Sequence, residues 1–161
     1  MKYTATVSWA RSANEVFIDG KYSRVHQWLF DGGMRFNASA SPSVVPFPMS
    51  DASVIDPEEA FIASLSSCHM LFFLSFCARQ KYIVARYHDN AEGMLGKGED
   101  GKEQMLSVTL YPKVEFEGDQ SPSGEVLAHL HELAHENCFI ANSVKTKIKI
   151  SYQDTKSSEQ L

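Results

Sequence analysis

The chain contains little cysteine, and this limits the chemistry that its thiols can perform. Only three cysteines occur in 161 residues, Cys68, Cys77 and Cys138, and no two of them form a C-x-x-C pair. An odd, small number of widely spaced cysteines does not indicate a structural disulfide framework. The missing C-x-x-C pair also leaves a thioredoxin-like site or a zinc ribbon without support. Each cysteine is therefore expected to be buried, catalytic or metal-bound.

Positive charge and long apolar runs are also scarce. The formal net charge is −5, so the composition does not favour a nucleic-acid surface. The longest strongly apolar run, MLFFLSF at 70–76, is far too short to span a membrane. The N-terminal residues MKYTATVSWARS alternate in polarity and lack the apolar core of a signal peptide. We therefore expect a cytoplasmic protein with neither a nucleic-acid partner nor a membrane partner.

The length and the order of elements predict one α+β domain over residues 1–161, with a polar tail at about 154–161. The loop 40–55 holds three prolines and several serines, and Asp56-Pro57 then provides the cap and first turn of a helix. The predicted order is β-β-β-α-β-β-α-β, in which antiparallel sheets wrap around a long buried helix. The strands are predicted at 2–9, 22–30, 34–39, 83–95, 105–117 and 144–152, and the helices at 56–80 and 123–136.

The motif H-E-x-x-H at 131–135 is one hypothesis for the active site. His131 and His135 lie one helical turn apart and could chelate zinc, with Glu132 as the base. A catalytic zinc also needs a third protein ligand, and no suitable residue follows at the expected spacing. A zinc hydrolase is therefore the weaker alternative, and the motif reads more simply as an exposed helical face rich in His and Glu.

The cysteines offer a second hypothesis. Cys68 lies in the first predicted helix among small residues, and Cys138 follows the second helix. Cys77 lies nine residues after Cys68, roughly opposite on the same helix, which indicates packing. If folding brings Cys68 and Cys138 together, a peroxide can oxidise one thiolate to a sulfenic acid, and the other thiol can condense with it to a disulfide. The thiolate needs a cationic partner, and an arginine is suited to that role.

Two segments resemble motifs of the OsmC/Ohr family. DPEEAFIASLSSC at 56–68 is similar to that family's N-P-E-x-L-x-x-A-x-x-x-C helix. CFIANS at 138–143 is similar to its C-P-x-S-N-x turn, with Phe139 in the place of the usual proline. The element order also matches over nearly the whole chain. The resemblance implies an intertwined homodimer and a thiol-dependent peroxidase that reduces organic hydroperoxides, protects against oxidative stress and uses no cofactor or metal.

The resemblance also implies the site residues. Cys68 corresponds to the peroxidatic cysteine, Cys138 to the resolving one and Glu58 to a glutamate that pairs with an arginine. Arg24 is the preferred arginine, with Arg35 and Arg11 as alternatives. Ten helical residues separate Glu58 from Cys68 by about 15 Å, so Glu58 must act through the arginine, from a bent helix start or across the dimer. The implied reductant is a dithiol, in some members a lipoylated protein.

A third hypothesis is a protein of the same fold that does not turn over peroxide. A redox-sensing or small-molecule-binding dimer would oxidise Cys68 and Cys138 to a disulfide while consuming negligible peroxide. The sequence does not separate this reading from the peroxidase, because the side chains that form the pocket cannot be placed from it.

Overall fold

The computed structural model describes residues 1–152 of the chain, and the predicted tail at 154–161 lies outside this range. The chain divides at residue 60 into two compact units. Eight strands and two α-helices follow one another: β1 Ala5–Ser8, β2 His26–Phe30, β3 Arg35–Ala38, α1 Pro57–Arg79, β4 Ile83–Asp89, β5 Glu92–Lys97, β6 Glu103–Leu110, β7 Pro112–Glu117, α2 Gly124–Asn137 and β8 Lys147–Ile150. The α+β class predicted from the sequence is confirmed.

The first unit contains an antiparallel sheet in the order β1-β2-β3. Strands β2 and β3 pair as the predicted hairpin, with His26 opposite Ala38 and Leu29 opposite Arg35. The following loop ends at the start of α1, where Asp56 caps the helix. Its carboxylate accepts a hydrogen bond from the Glu59 N–H at 2.8 Å, and the Glu59 carboxylate accepts one from the Asp56 N–H at 3.2 Å. The sequence predicted the Asp56 cap, and the structure shows that Glu59 completes it as a reciprocal capping box.

The second unit contains two small sheets, one with the order β4-β7 and one with the order β5-β6-β8. Here the predicted element order was wrong, because 83–95 and 105–117 each contain two strands. The chain changes sheet at a corner where Asp89 accepts a hydrogen bond from the Tyr111 N–H at 2.6 Å and another from the Ser66 hydroxyl. Tyr111 lies between β6 and β7, and its N–H bonds to the Asp89 side chain and not to a neighbouring strand. Strands β6 and β7 therefore belong to different sheets. Strand β8 pairs with β6 in parallel.

Helix α1 buries one face, although the sequence predicted burial on most faces. Its buried residues are Leu65, His69, Phe73 and Cys77, which recur every four positions. Phe73 and Cys77 belong to a core cluster with Leu127, Leu130 and Ala134 of α2, whereas Leu65 packs with Val108 and Leu110 of β6. The opposite face of α1 is exposed at Ala63, Ser67 and Leu71.

The apolar composition of α1 has a further consequence. By length and composition alone the helix is apolar enough to cross a membrane, a test that the core helix of a soluble protein also passes. Its first turn holds Glu58 and Glu59 and its last turn holds Arg79. In the second unit, the buried row of α1 packs against β6 and α2, and 22% of the most apolar stretch of the helix is buried.

Helix α2 shows the sequence pattern of an amphipathic helix. The Ser123 hydroxyl caps it by accepting a hydrogen bond from the Val126 N–H at 3.3 Å. The buried residues of α2 are Leu127, Leu130, His131 and Ala134, at the i, i+3, i+4 and i+7 positions of one face. The helix ends at Cys138, whose backbone is extended. A 3-10 turn at Ala141–Ser143 then leads into β8.

Candidate active site

Cys68 lies on α1 beside an apolar cavity. The side chain is half-buried, and the thiol is free. The cavity has a volume of about 550 Å³ and is lined by Ser64, Ser67, Cys68, Leu71, Phe72, Ser75, Phe139 and Ile140. Small serine side chains leave the space open, and aromatic and aliphatic groups form its walls. Phe72 packs against the core cluster around Phe73 and also forms part of this wall. The cavity can take an apolar molecule next to the Cys68 thiol.

Cys138 lies where α2 ends. Its N–H still donates to the His135 carbonyl at 3.2 Å, while its own φ and ψ of −67° and 111° leave the helical range. The next residues turn back, so the Asn142 N–H donates to the Cys138 carbonyl at 3.0 Å. The Ala141 N–H donates to the Cys138 sulfur at 3.4 Å. Cys138 is buried, with 1% of its surface exposed.

The fold brings the two thiols together. Burial raises the pKa of Cys138 to about 11, and a hydrogen bond between its side chain and Cys68 adds to the shift. The N–H groups of Ala141 and Ile140 act in the opposite direction, because they stabilise a thiolate. The raised pKa keeps Cys138 as a thiol at neutral pH. Both cysteines are free, so this is the reduced form of the pair.

Phe139 covers one side of the cavity. Its ring packs edge-on against Phe72 with 5.1 Å between ring centroids, yet 66% of its surface is exposed. Since Phe139 directly follows Cys138, any displacement of the Cys138 backbone also moves this wall. The sequence marked Phe139 only as the residue in the place of a proline.

The H-E-x-x-H motif does not form the predicted exposed face. His131 is buried, with 1% of its surface exposed, and its Nδ1 lies 3.0 Å from Nε2 of His69. His129 and Glu132 are exposed and lie 3.8 Å apart. Within residues 1–152, no three His, Cys, Asp or Glu side chains are grouped as a metal site requires. The residues therefore do not fit the zinc hydrolase hypothesis.

The buried histidines are neutral at physiological pH. Burial lowers the pKa of His69 to about 4, and the nearby His135 adds to the shift. Burial likewise lowers the pKa of His131 to about 3, and His69 adds to that shift. The sequence contains one pattern that could have indicated a role for His131 near the cysteines. His131 precedes Cys138 by seven residues, two helical turns, so both lie on one face of α2.

Cys77 is a core residue, as the sequence predicted. It has 1% of its surface exposed and packs in the cluster around Phe73 and Leu130. Burial raises the pKa of Cys77 to about 11. The thiol is therefore protonated and shielded at neutral pH.

The remaining predicted site residues lie in the first unit. The Arg24 guanidinium donates to the carbonyls of Tyr22 at 2.5 Å and Gly20 at 3.0 Å and stacks 3.5 Å from the centre of the Tyr22 ring. Within the described residues, Arg24 and Glu58 form no ion pair with each other. Arg11 binds backbone carbonyls of residues 12–15, and Arg35 is exposed on β3. The structure thus joins the two cysteines and does not pair the glutamate with the preferred arginine.

Arg24 also borders an aromatic cavity within the first unit. The cavity has a volume of about 420 Å³ and is lined by Trp9, Phe17, Tyr22, Arg24, His26, Ser39, Ala40 and Pro57. Phe17 and Tyr22 stack with 4.5 Å between ring centroids. Among residues 1–152 no carboxylate forms an ion pair with Arg24, so its positive charge faces only neutral partners.

Comparisons with known proteins support the resemblance. The family model of the OsmC-like protein matches residues 50–153. An OsmC-like protein of unknown function from Vibrio cholerae is 52% identical, has a TM-score of 0.94, and the match covers 95% of this chain and 99% of that one. No curated protein sequence matches this chain.

Two organic hydroperoxide resistance proteins share the fold. The one from Elizabethkingia anophelis is 17% identical with a TM-score of 0.68, and the match covers 96% of this chain and 98% of that one. OhrB of Bacillus subtilis is 20% identical with a TM-score of 0.61, and the match covers 94% and 98% of the two chains. Identities at this level show a common fold.

Proposed function

The chain belongs to the OsmC-like family, and on this basis we propose that it is a thiol-dependent peroxidase that reduces organic hydroperoxides to alcohols. The observation that supports the proposal best is that Cys68 lines an apolar cavity and that the buried thiol of Cys138 interacts with it, both cysteines being reduced. Structural relatives named as organic hydroperoxide resistance proteins point to the same substrate class. The proposed role of the protein is protection against oxidative stress in the cytoplasm.

The reaction requires two steps. The Cys68 thiolate attacks the terminal oxygen of the hydroperoxide, the O–O bond breaks, and the alkoxide takes a proton and leaves as an alcohol. Cys68 is then a sulfenic acid. The Cys138 thiol attacks the Cys68 sulfur, a disulfide forms, and the hydroxyl group leaves as water with the proton of Cys138. An external dithiol, such as a lipoylated protein, then reduces the disulfide and is itself oxidised.

The apolar walls of the cavity favour an organic substrate over hydrogen peroxide. Leu71, Phe72 and Phe139 contribute apolar surface, and the serines Ser64 and Ser67 leave room beside the sulfur. Hydrogen peroxide gains nothing from such walls, whereas each buried methylene group of an organic hydroperoxide contributes about 0.8 kcal/mol.

A cation is needed to hold Cys68 as a thiolate, and Arg24 is the proposed source. Among the described residues, its guanidinium donates hydrogen bonds only to neutral carbonyls, so no carboxylate neutralises its positive charge. Glu58 is proposed to orient it, as the resemblance implies. The proposed assembly is a homodimer, as the resemblance implies, and α1 exposes a row of Ala63, Ser67 and Leu71 that a second copy can cover.

The proposal is tested by hydroperoxide consumption. Purified protein is mixed with cumene hydroperoxide and dithiothreitol, and residual peroxide is measured over time. We expect turnover in the wild type, none in Cys68→Ser and full turnover in Cys77→Ser, which is the matched control because Cys77 is a core thiol. Equal turnover in Cys68→Ser and the wild type would refute the peroxidase.

The same assay addresses the redox-sensor alternative. If peroxide converts Cys68 and Cys138 to a disulfide once per chain, but consumption stops after one equivalent despite excess dithiol, the protein is a sensor or binder. The disulfide is counted by thiol titration after each addition of peroxide. Repeated cycles of oxidation and reduction support the enzyme.

A further inference from the structure

We propose that His69 and His131 are a positioning pair whose hydrogen bond fixes the approach of Cys138 to Cys68 and thereby controls disulfide formation. This inference rests on the proposed two-step peroxidase reaction. Neither histidine faces the substrate cavity, so the pair acts through the two helices that carry the cysteines.

The two histidines are placed next to the two cysteines along the chain. His69 directly follows Cys68 on α1, and His131 lies two turns before Cys138 on the same face of α2. The distance of 3.0 Å between His69 Nε2 and His131 Nδ1 is that of a direct hydrogen bond. Among the side-chain hydrogen bonds within residues 1–152, it is the one that joins α1 to α2. A change in this bond therefore changes the distance between the two cysteine-bearing backbones.

The His131 ring is held in a fixed orientation. It stacks between Phe73, at 4.3 Å between ring centroids, and Tyr152, at 4.5 Å. The ring plane lies within 21° of each neighbour. The two stacks fix the plane of the ring, and the hydrogen bond to His69 fixes which edge of the ring carries Nδ1. Through that atom the packed core of the unit defines where His69, and hence Cys68, must lie.

The pair is costly as a core element, which indicates a role beyond filling space. Nδ1 of His69 and Nε2 of His131 are buried and have no hydrogen-bond partner within the described residues. Whichever ring donates the proton between them, one unpaired donor and one unpaired acceptor remain. Two apolar side chains would fill the same volume without this penalty. What the apolar side chains would lack is a directional bond that sets the spacing of the helices.

The spacing matters for the second chemical step and not for the first. Attack on the peroxide involves Cys68, the substrate and the proposed Arg24 and Glu58, but it does not involve Cys138. Condensation requires the Cys138 sulfur to reach the Cys68 sulfur in line with the departing hydroxyl group. A misplacement of about 1 Å between reacting groups can cost about 100-fold in rate. A positioning role therefore predicts that the two steps respond differently when the bond is lost.

The test compares variants that keep the hydrogen bond with variants that lose it at similar volume. His69→Gln places an amide near the position of Nε2, and His131→Asn places one near the position of Nδ1, so each can retain the bond. His69→Leu and His131→Phe fill the space without it. His129→Leu is the matched control, since His129 is exposed on the same helix. Stopped-flow measurements follow sulfenic acid formation at Cys68 and then disulfide formation.

We expect His69→Leu and His131→Phe to form the sulfenic acid at about the wild-type rate and to form the disulfide about 100-fold more slowly. His69→Gln and His131→Asn should recover most of that loss, and His129→Leu should match the wild type. Disulfide formation at the wild-type rate in the Leu and Phe variants would overturn the inference. An equal loss in both steps, or no recovery in the amide variants, would overturn it as well.

A readout without peroxide separates this inference from the proposed function. The Cys68–Cys138 disulfide is formed with diamide and equilibrated against dithiothreitol, which requires no peroxidase activity. We expect the equilibrium constant for the disulfide to fall about tenfold in His69→Leu relative to His69→Gln, because the two thiols are held together less tightly. An unchanged constant refutes the positioning role even if the protein is a peroxidase. A changed constant supports the role even if peroxide turnover is absent.

Discussion

The buried histidine pair predicts that the protein loses stability in mild acid. At pH 7.5 both rings are neutral in the folded and the unfolded chain. As the pH falls through 6.5, the unfolded chain binds protons on these residues, whereas folded His69 does so only near its pKa of about 4. The unfolded state therefore binds more protons between pH 6.5 and 4, and the free energy of unfolding falls over that window.

The magnitude follows from the size of the pKa shift. One pKa unit corresponds to about 1.36 kcal/mol. The titration of His69 therefore lowers the free energy of unfolding by roughly 3 kcal/mol between pH 6.5 and 4. The ring is 1% exposed, so solvent screens little of this effect. His131 is also neutral in the folded chain over this window, because burial lowers its pKa to about 3, so roughly 3 kcal/mol is the loss due to His69 alone and His131 adds to it. A loss of this size is large, since a typical domain has a stability of about 5–15 kcal/mol.

The assay is urea unfolding followed by far-ultraviolet circular dichroism at pH 7.5, 6.0, 5.0 and 4.5. Ionic strength and protein concentration are held constant, because any dimer makes the midpoint depend on concentration. The double variant His69→Gln/His131→Asn has no titrating group at the pair, and His129→Gln is the control. We expect the acid-induced loss to be smaller in the double variant than in the wild type by at least roughly 3 kcal/mol. Equal losses would refute the reasoning, because carboxylates contribute equally to both proteins.

Three further predictions concern other residues of the second unit. Phe139→Ala opens the cavity, so kcat/KM for cumene hydroperoxide should fall about tenfold relative to that for t-butyl hydroperoxide, and an unchanged ratio in parallel assays would contradict the wall assigned to Phe139. Leu130→Ala removes a fully buried side chain, so urea unfolding should show a loss of about 2–5 kcal/mol, and a loss below about 1 kcal/mol would contradict its place in the core. Cys77→Ala should retain full peroxide turnover, because burial raises the pKa of that thiol to about 11, and a loss matching that of Cys68→Ser would contradict its assignment to packing.

Local signals in the sequence predicted the helices well. Asp56 and Pro57 mark the start of α1 because the carboxylate caps the first N–H groups and proline fits the first turn. Ser123 marks α2 in the same way. Such signals act over three or four residues, so they can be read without knowledge of the rest of the chain. The two cysteine-bearing segments are local patterns of this kind, and their resemblance to one family followed from them.

The strand order and the histidines could not be predicted in the same way. The corner that splits the 83–117 region depends on Asp89 binding Tyr111 and Ser66, which lie 22 and 23 positions away. His131 was predicted to lie on an exposed face because it forms the H-E-x-x-H pattern with Glu132 and His135. Its burial depends on Phe73, Tyr152 and His69, which come from other segments.

Capping residues and apolar periodicity specify the two helices, and they place one cysteine on α1 and another at the end of α2. The packing of distant segments brings Cys68 and Cys138 together, places Phe139 over the cavity beside them and bonds His69 to His131. The physical reason is range: capping and periodicity are short-range properties of a chain, whereas the meeting of Cys68 and Cys138, 70 positions apart, depends on how α1 and α2 pack. Within the H-E-x-x-H motif, His131 therefore belongs to the packing between the helices, whereas Glu132 is exposed.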